Sequence, residues 1–142
     1  MKISLASDHG GLTLKNRIKE YLSGLGHETV DFGTTTTDSC DYPDYARPAA
    51  LAVAHGEAQR GIVVCTTGIG VSMVANKVKG VRCALCLNAD MAEMTRHHND
   101  ANMIALGQKY LDEQTALEIV DAFINTPFDG GRHQNRVDKI EG

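Results

Sequence analysis

The stretch IVVCTTGIGVSMVANK, residues 62–77, decides the fold. Ile62–Cys65 is a short, unbroken apolar run, the pattern of a strand covered on both faces. Thr66–Gly70 is a glycine turn, and Val71–Lys77 continues as a helix. A strand that passes through a tight turn into a helix is the first half of a right-handed crossover to a parallel neighbour. Working outward, the alternation repeats. Ile3–Ser7, Glu28–Phe32, Val81–Leu87 and Met103–Leu106 read as further strands. Leu14, Ile18, Leu22 and Leu25 form an apolar stripe, with Lys15, Arg17, Lys19 and Glu20 turned away and Gly26 as the stop. Pro43 opens a helix carrying Ala46, Ala49, Ala50, Val53 and Ala54. Asp90–His97 gives another. Ala116, Ile119, Val120, Phe123 and Ile124 give the next, ended near Pro127, and Arg132–Ile140 a last, polar one. The expectation is an α/β fold: a five-stranded parallel sheet with helices on both faces, in three layers.

The 142 residues suit a single domain, 1–142, and no repeat, linker or boundary interrupts them. Thr34–Thr37 reads as a solvated loop. A net charge of −4 gives no electrostatic reason to bind nucleic acid or an anionic membrane. No apolar run approaches the roughly 18–20 residues that span a bilayer, and MKISLASDHG is too short and polar for a signal peptide. The expected compartment is therefore cytoplasmic, with Cys40, Cys65, Cys83 and Cys86 as thiols. Cys83 and Cys86 have the spacing of a redox or zinc motif. Within a strand, however, i and i+3 face opposite sides, and no second pair exists, which favours a structural role.

Ligands of open α/β sheets bind beyond the carboxyl ends of the strands. Those ends carry Asp8-His9-Gly10-Gly11, Asp41-Tyr42-Pro43, Cys65 to Ser72, and Gln108-Lys109. Gly68 and Gly70 allow a sharp turn with N–H groups close to a ligand, and the helix that follows adds its positive end. Such a turn suits a phosphate, a carboxylate or an enediolate, and a thiol at its mouth gains reactivity there. It lacks the third glycine of a dinucleotide fingerprint and the lysine of a P-loop. Cys65 could equally be a small buried strand residue, and Asp8 a helix cap. His97 and His98 are adjacent rather than four apart, which argues against a metal pair. Arg132 and Arg136 share one helical face, where paired guanidinium groups suit a phosphate; the alternative is a solvated basic turn.

Taken together, the motifs resemble the ribose-5-phosphate isomerase B family, in a wider group with galactose-6-phosphate isomerase subunits. The resemblance rests on Asp8-His9-Gly10-Gly11, Asp41-Tyr42-Pro43, Cys65-x-Thr67-Gly68-Ile69-Gly70-x-Ser72 with Asn76-Lys77, Arg82, His98-Asn99-Asp100-x-Asn102 and Gly130-Gly131-Arg132-His133-x-x-Arg136-Val137. It implies a Rossmann-like sugar-phosphate isomerase that needs no metal and no cofactor and works as a homodimer or dimer of dimers. It further implies that Cys65 moves a proton between C1 and C2 and that Thr67 and His98 open the sugar ring. Asp8 would bind sugar oxygens, with Tyr42 and Asn99 lining the site. His9, Arg132 and Arg136 would hold the phosphate, together with Lys109, which stands where the family often has Arg. The N–H groups of Gly68, Ile69, Gly70, Val71 and Ser72 would stabilise the enediolate. Thr66 replaces the glycine usual in the family and bears on sugar preference. The remaining readings are isomerisation of an allose, galactose or tetrose phosphate, and a binding module without catalysis.

The order of elements adds a constraint. His98, Arg132 and Arg136 follow helices and belong at the amino-terminal edge of the sheet, whereas Cys65 ends a strand. A domain of this size is about 30 Å across, so these groups should not meet within one chain. The expectation is shared active sites, with residues 128–142 reaching a partner subunit.

Overall fold

The computed structural model describes residues 1–142. Its elements are β1 (Lys2–Ser7), a 3-10 turn at His9–Gly11, α1 (Leu12–Gly24), β2 (Glu28–Asp31), α2 (Pro43–Ala54) and β3 (Arg60–Cys65). They continue with α3 (Ile69–Asn76), β4 (Cys83–Leu85), α4 (Ala89–Asn99), β5 (Met103–Gly107), α5 (Glu113–Asn125) and α6 (Arg132–Asp138). The five strands form one parallel sheet in the order β2-β1-β3-β5-β4. Alternate side chains of the central strands feed two cores. Ile3, Leu5, Ile62, Val64, Ile104 and Leu106 pack against α1 and α5. Ala6, Val63, Cys65, Met103 and Ala105 pack against α2 and α3. The three-layer α/β expectation therefore holds, and Cys65 lies on the α2/α3 face at the carboxyl end of a central strand. No helix is long and apolar enough to cross a membrane.

Several local expectations need correction. β4 has three residues rather than the seven of Val81–Leu87. Side chains pin its start: Asn76 exchanges hydrogen bonds with the backbone of Cys83, next to Arg82, whose carbonyl accepts the backbone N–H groups of Asn102 and Met103. Asn102 does the same for Arg82 N–H and the Gly80 carbonyl. Cys86 lies just past the strand but still points opposite to Cys83, each into a different core. Burial pushes both thiols up, Cys86 to about 12. β2 and β4 lie at the sheet edges and are only half-buried, unlike the central strands.

Leu25 is exposed past the end of α1, where Gly26 takes a positive φ. Lys15 is not turned to solvent but fully buried. Its Nζ donates to Asp31 Oδ1 at 2.8 Å and to the Thr34 carbonyl at 2.6 Å. Thr34 is accordingly buried, and only Thr35–Thr37 form the solvated part of that loop. Gly33 and Thr34 also exchange backbone hydrogen bonds with Ser7. The buried ammonium thus ties the start of the β2–α2 loop to the end of β1, next to Asp8.

Candidate active site

The polar residues singled out in the sequence gather into two clefts. The first, about 440 Å³, opens at the carboxyl ends of β1 and β3 and is lined by Asp8, Tyr42, Cys65, Thr66, Thr67 and the start of α3. Cys65 is almost buried, and its Sγ accepts the Gly68 N–H at 3.1 Å. Gly68 reaches that position with φ +79°, a left-handed conformation that glycine adopts at no steric cost. A Cβ on Gly70 would lie 2.6 Å from the Tyr42 ring, so the missing side chain is what lets tyrosine close against α3. Thr66 Oγ1 fills the corresponding space beside Gly10, 2.1 Å from where a Cβ would stand.

The donors of the turn divide sharply. Gly68 N–H is engaged with Cys65, Ile69 N–H with Thr67 Oγ1, and Ser72 N–H with the Gly68 carbonyl. The N–H groups of Gly70 and Val71 have no acceptor within the chain, as the first turn of a helix leaves them. The expectation of five available amides narrows to these two.

Asp8 does cap the 3-10 turn, accepting Gly10 and Gly11 N–H through Oδ1 alone. Its other oxygen has no partner in the chain, so capping and ligand binding are compatible. His9 is exposed and its Nδ1 accepts the Cys40 N–H, which leaves Nε2 unengaged. Lys109 is fastened by its backbone, whose N–H donates to the Thr66 carbonyl, but its ammonium lies over Tyr110, outside the cleft.

The second cleft, about 420 Å³, is lined by His98, Asn99, Arg132, His133, Arg136 and two apolar residues of the C-terminal segment. His98 and Asn99 are the last residues of α4. The turn after them is clamped by two guanidinium groups on Asp100, whose φ is +46°. Arg96, buried, donates to Asp100 Oδ1 at 2.7 Å, and Arg82 donates to the Asp100 carbonyl at 2.8 Å. α6 folds back onto the end of α4 through Asp129, which hydrogen-bonds the His97 ring and backbone. This seats His133 against His98, ring centroids 4.4 Å apart and planes 13° from parallel. Nothing in the residue types alone gives His133 a role. Its place in the Gly-Gly-Arg-His run was the available signal. Burial, with His98 and the guanidinium groups of Arg132 and Arg136, lowers the His133 pKa below the ordinary imidazole range, against the pull of Asp129.

His98, Asp129 and His133 also bring three possible metal-ligating atoms within 4.8 Å of one another. An imidazole binds an ion in its own plane, and two stacked parallel planes share no such point. The trio could hold an ion only after one ring turned.

The two clefts lie at opposite ends of the sheet. Cys65 pairs with Gly107 and Gly61 with Met103, and His98 precedes Met103. Four residues of strand therefore separate the edges, about 13 Å. In chemical terms, one edge offers a thiol, a turn with free amide donors and a carboxylate. The other offers an imidazole and two guanidinium groups suited to a dianion.

Residues 3–140 match the family model described as ribose/galactose isomerase. The chain is 43% identical over 139 residues to ribose-5-phosphate isomerase B of Escherichia coli, covering 98% of this chain and 93% of that protein. It superposes with a TM-score of 0.97 on the ribose-5-phosphate isomerase B of Clostridium thermocellum, at 51% identity and coverage of 99% and 95%. A structure of the Mycoplasma genitalium enzyme with bound ribulose-5-phosphate matches with a TM-score of 0.94 at 42% identity, covering 98% and 93%.

Proposed function

The chain belongs to the ribose/galactose isomerase family, and from that premise we propose that it interconverts ribose 5-phosphate and ribulose 5-phosphate through an enediolate. The reaction begins with ring opening. A proton leaves the C1 hydroxyl, the bond from C1 to the ring oxygen breaks, and that oxygen takes up a proton; Thr67 and His98 carry these transfers. Cys65 then removes the proton from C2 and returns it to C1, the hydroxyl proton on O2 passes to O1 as the carbonyl moves from C1 to C2, and negative charge develops on these two oxygens on the way. The unengaged N–H groups of Gly70 and Val71 face that charge, which is where fixed donors stabilise a transition state most. Asp8, Tyr42 and Asn99 contact the sugar. His9, Arg132 and Arg136 hold the phosphate and keep the flexible open chain in place, and Lys109 joins them by swinging its ammonium away from Tyr110.

The observation that carries this reading is the sulfur of Cys65, held at the mouth of a turn with free amide donors. Four of its partners in the mechanism, His98, Asn99, Arg132 and Arg136, lie at the far edge of the sheet, so each site is completed by a second copy whose residues 128–142 close over it. An apolar groove of about 470 Å³, lined by Ile69, Leu85, Leu87 and Tyr110, adjoins the Cys65 cleft through Thr67 and Ile69. An apolar surface bordering an incomplete polar site suits a subunit contact. The working compartment is the cytosol, in keeping with four free thiols.

Thr66, whose branched side chain lines the cleft beside the base, favours a compact sugar. Turnover measured with four-, five- and six-carbon aldose phosphates and the matching free sugars tests the reading. Ribose 5-phosphate should give the highest kcat/KM, with free ribose far poorer. Preference for a hexose phosphate would reassign the substrate, and binding without turnover of any sugar would leave only a binding module.

A further inference from the structure

His98 makes no hydrogen bond through its ring, although its neighbour His97 is tied to Asp129 at 2.6 Å. What lies against the His98 ring is the face of His133, 4.4 Å away between centroids and nearly parallel. We propose that His133 is a positioning residue: by stacking, it sets the plane of His98 for ring opening while leaving both His98 nitrogens unengaged. This rests on the assignment of ring opening to His98. An acid–base group needs just that combination, a fixed orientation with its proton-bearing atoms free. A hydrogen bond from the protein would fix the ring but occupy one nitrogen. Stacking fixes it without occupying either.

The position of His133 supports the role. It sits on α6 directly after Arg132 and three residues before Arg136, both of which line the same cleft. Their charges and its partial burial disfavour the imidazolium form of His133. A neutral ring can stack on His98 without repelling it when His98 carries the transferred proton. The backbone of Asp129, hydrogen-bonded to His97, anchors the turn that delivers His133 to this place.

Two substitutions separate stacking from other roles. Phenylalanine keeps a flat ring but can neither donate, accept nor titrate. With ribose 5-phosphate, His133→Ala should lower kcat about ten- to a hundredfold, the scale of a misplaced catalytic group, with KM little changed. His133→Phe should restore most of that loss. An equal loss in both variants, a loss confined to KM, or full activity of His133→Ala would overturn the proposal. Melting curves of both variants establish that they are folded, and His133→Phe carries the test if the alanine variant is not. His98→Ala is measured in parallel. Normal turnover there would remove the ring-opening assignment itself, a failure distinct from that of His133.

Discussion

Replacing Cys65 with alanine is expected to reduce kcat for ribose 5-phosphate by about 10³–10⁴-fold, the upper range for loss of a positioned general base. Substrate binding should persist within a few-fold, because the groups assigned to the phosphate lie elsewhere. Cys65→Ser keeps the geometry but offers a far weaker base, and should recover little of the rate. The sulfur is placed by two features that the variants leave intact: the buried end of β3 and the Gly68 N–H directed at it. Steady-state rates with the folded variants check this. A Cys65→Ala protein retaining a tenth of its turnover would show that another group moves the proton.

The largest effect on stability is expected at Lys15. Its ammonium is fully buried and bonded to Asp31 and to the Thr34 carbonyl. Lys15→Met removes one member of a buried ion pair and leaves a carboxylate and a carbonyl short of a donor. The expected cost is about 3 kcal/mol, read from urea unfolding. Lys19 also reaches Asp31, at 3.2 Å, and keeps the loss from being larger. The same contacts make stability depend on pH. Burial alone would raise the Asp31 pKa, but the Lys15 hydrogen bond, Gly33 N–H and Lys19 together hold it below the usual carboxylate range. A carboxyl depressed in the folded state contributes its stability fully above its unfolded value, about 3.9. That contribution disappears as pH falls through the lower folded value. Lys15→Met should therefore be destabilised most at neutral pH and differ least from the parent in acid. A constant difference between pH 7 and 3 would contradict the ion-pair account. Because Thr34 begins the loop that delivers Tyr42, activity should fall as well.

The frame of the molecule was legible because its signals are local. Ile62–Cys65 and Met103–Leu106 are apolar runs too short for helices, and the α5 stripe repeats cleanly. The edge elements were less so. Val81–Leu87 looks like a full strand, but Asn76 and Asn102 hold its first residues through side-chain bonds that periodicity cannot reveal. Lys15 shows the same limit in reverse. A charged residue on a helix reads as solvent-facing until a distant Asp31 is folded against it. Within the site, the residue types and the separation of Cys65 from His98 could be read from motif and topology. The stacking of His133 and the engagement of three of the five turn amides could not. They depend on how α6 docks on α4 and on individual donor–acceptor geometry.

The central claim is that each active site joins the Cys65 cleft of one copy to the His98 cleft of another. Mixing Cys65→Ala chains with His98→Ala chains, each inactive alone, tests it most directly once mass spectrometry shows that subunits have exchanged. In a two-fold dimer, half of the randomly paired species carry one intact site, so activity should return to about a quarter of the parent value. A fully exchanged mixture that stays inactive, or an isolated protomer that turns over at the parent rate, would contradict the claim.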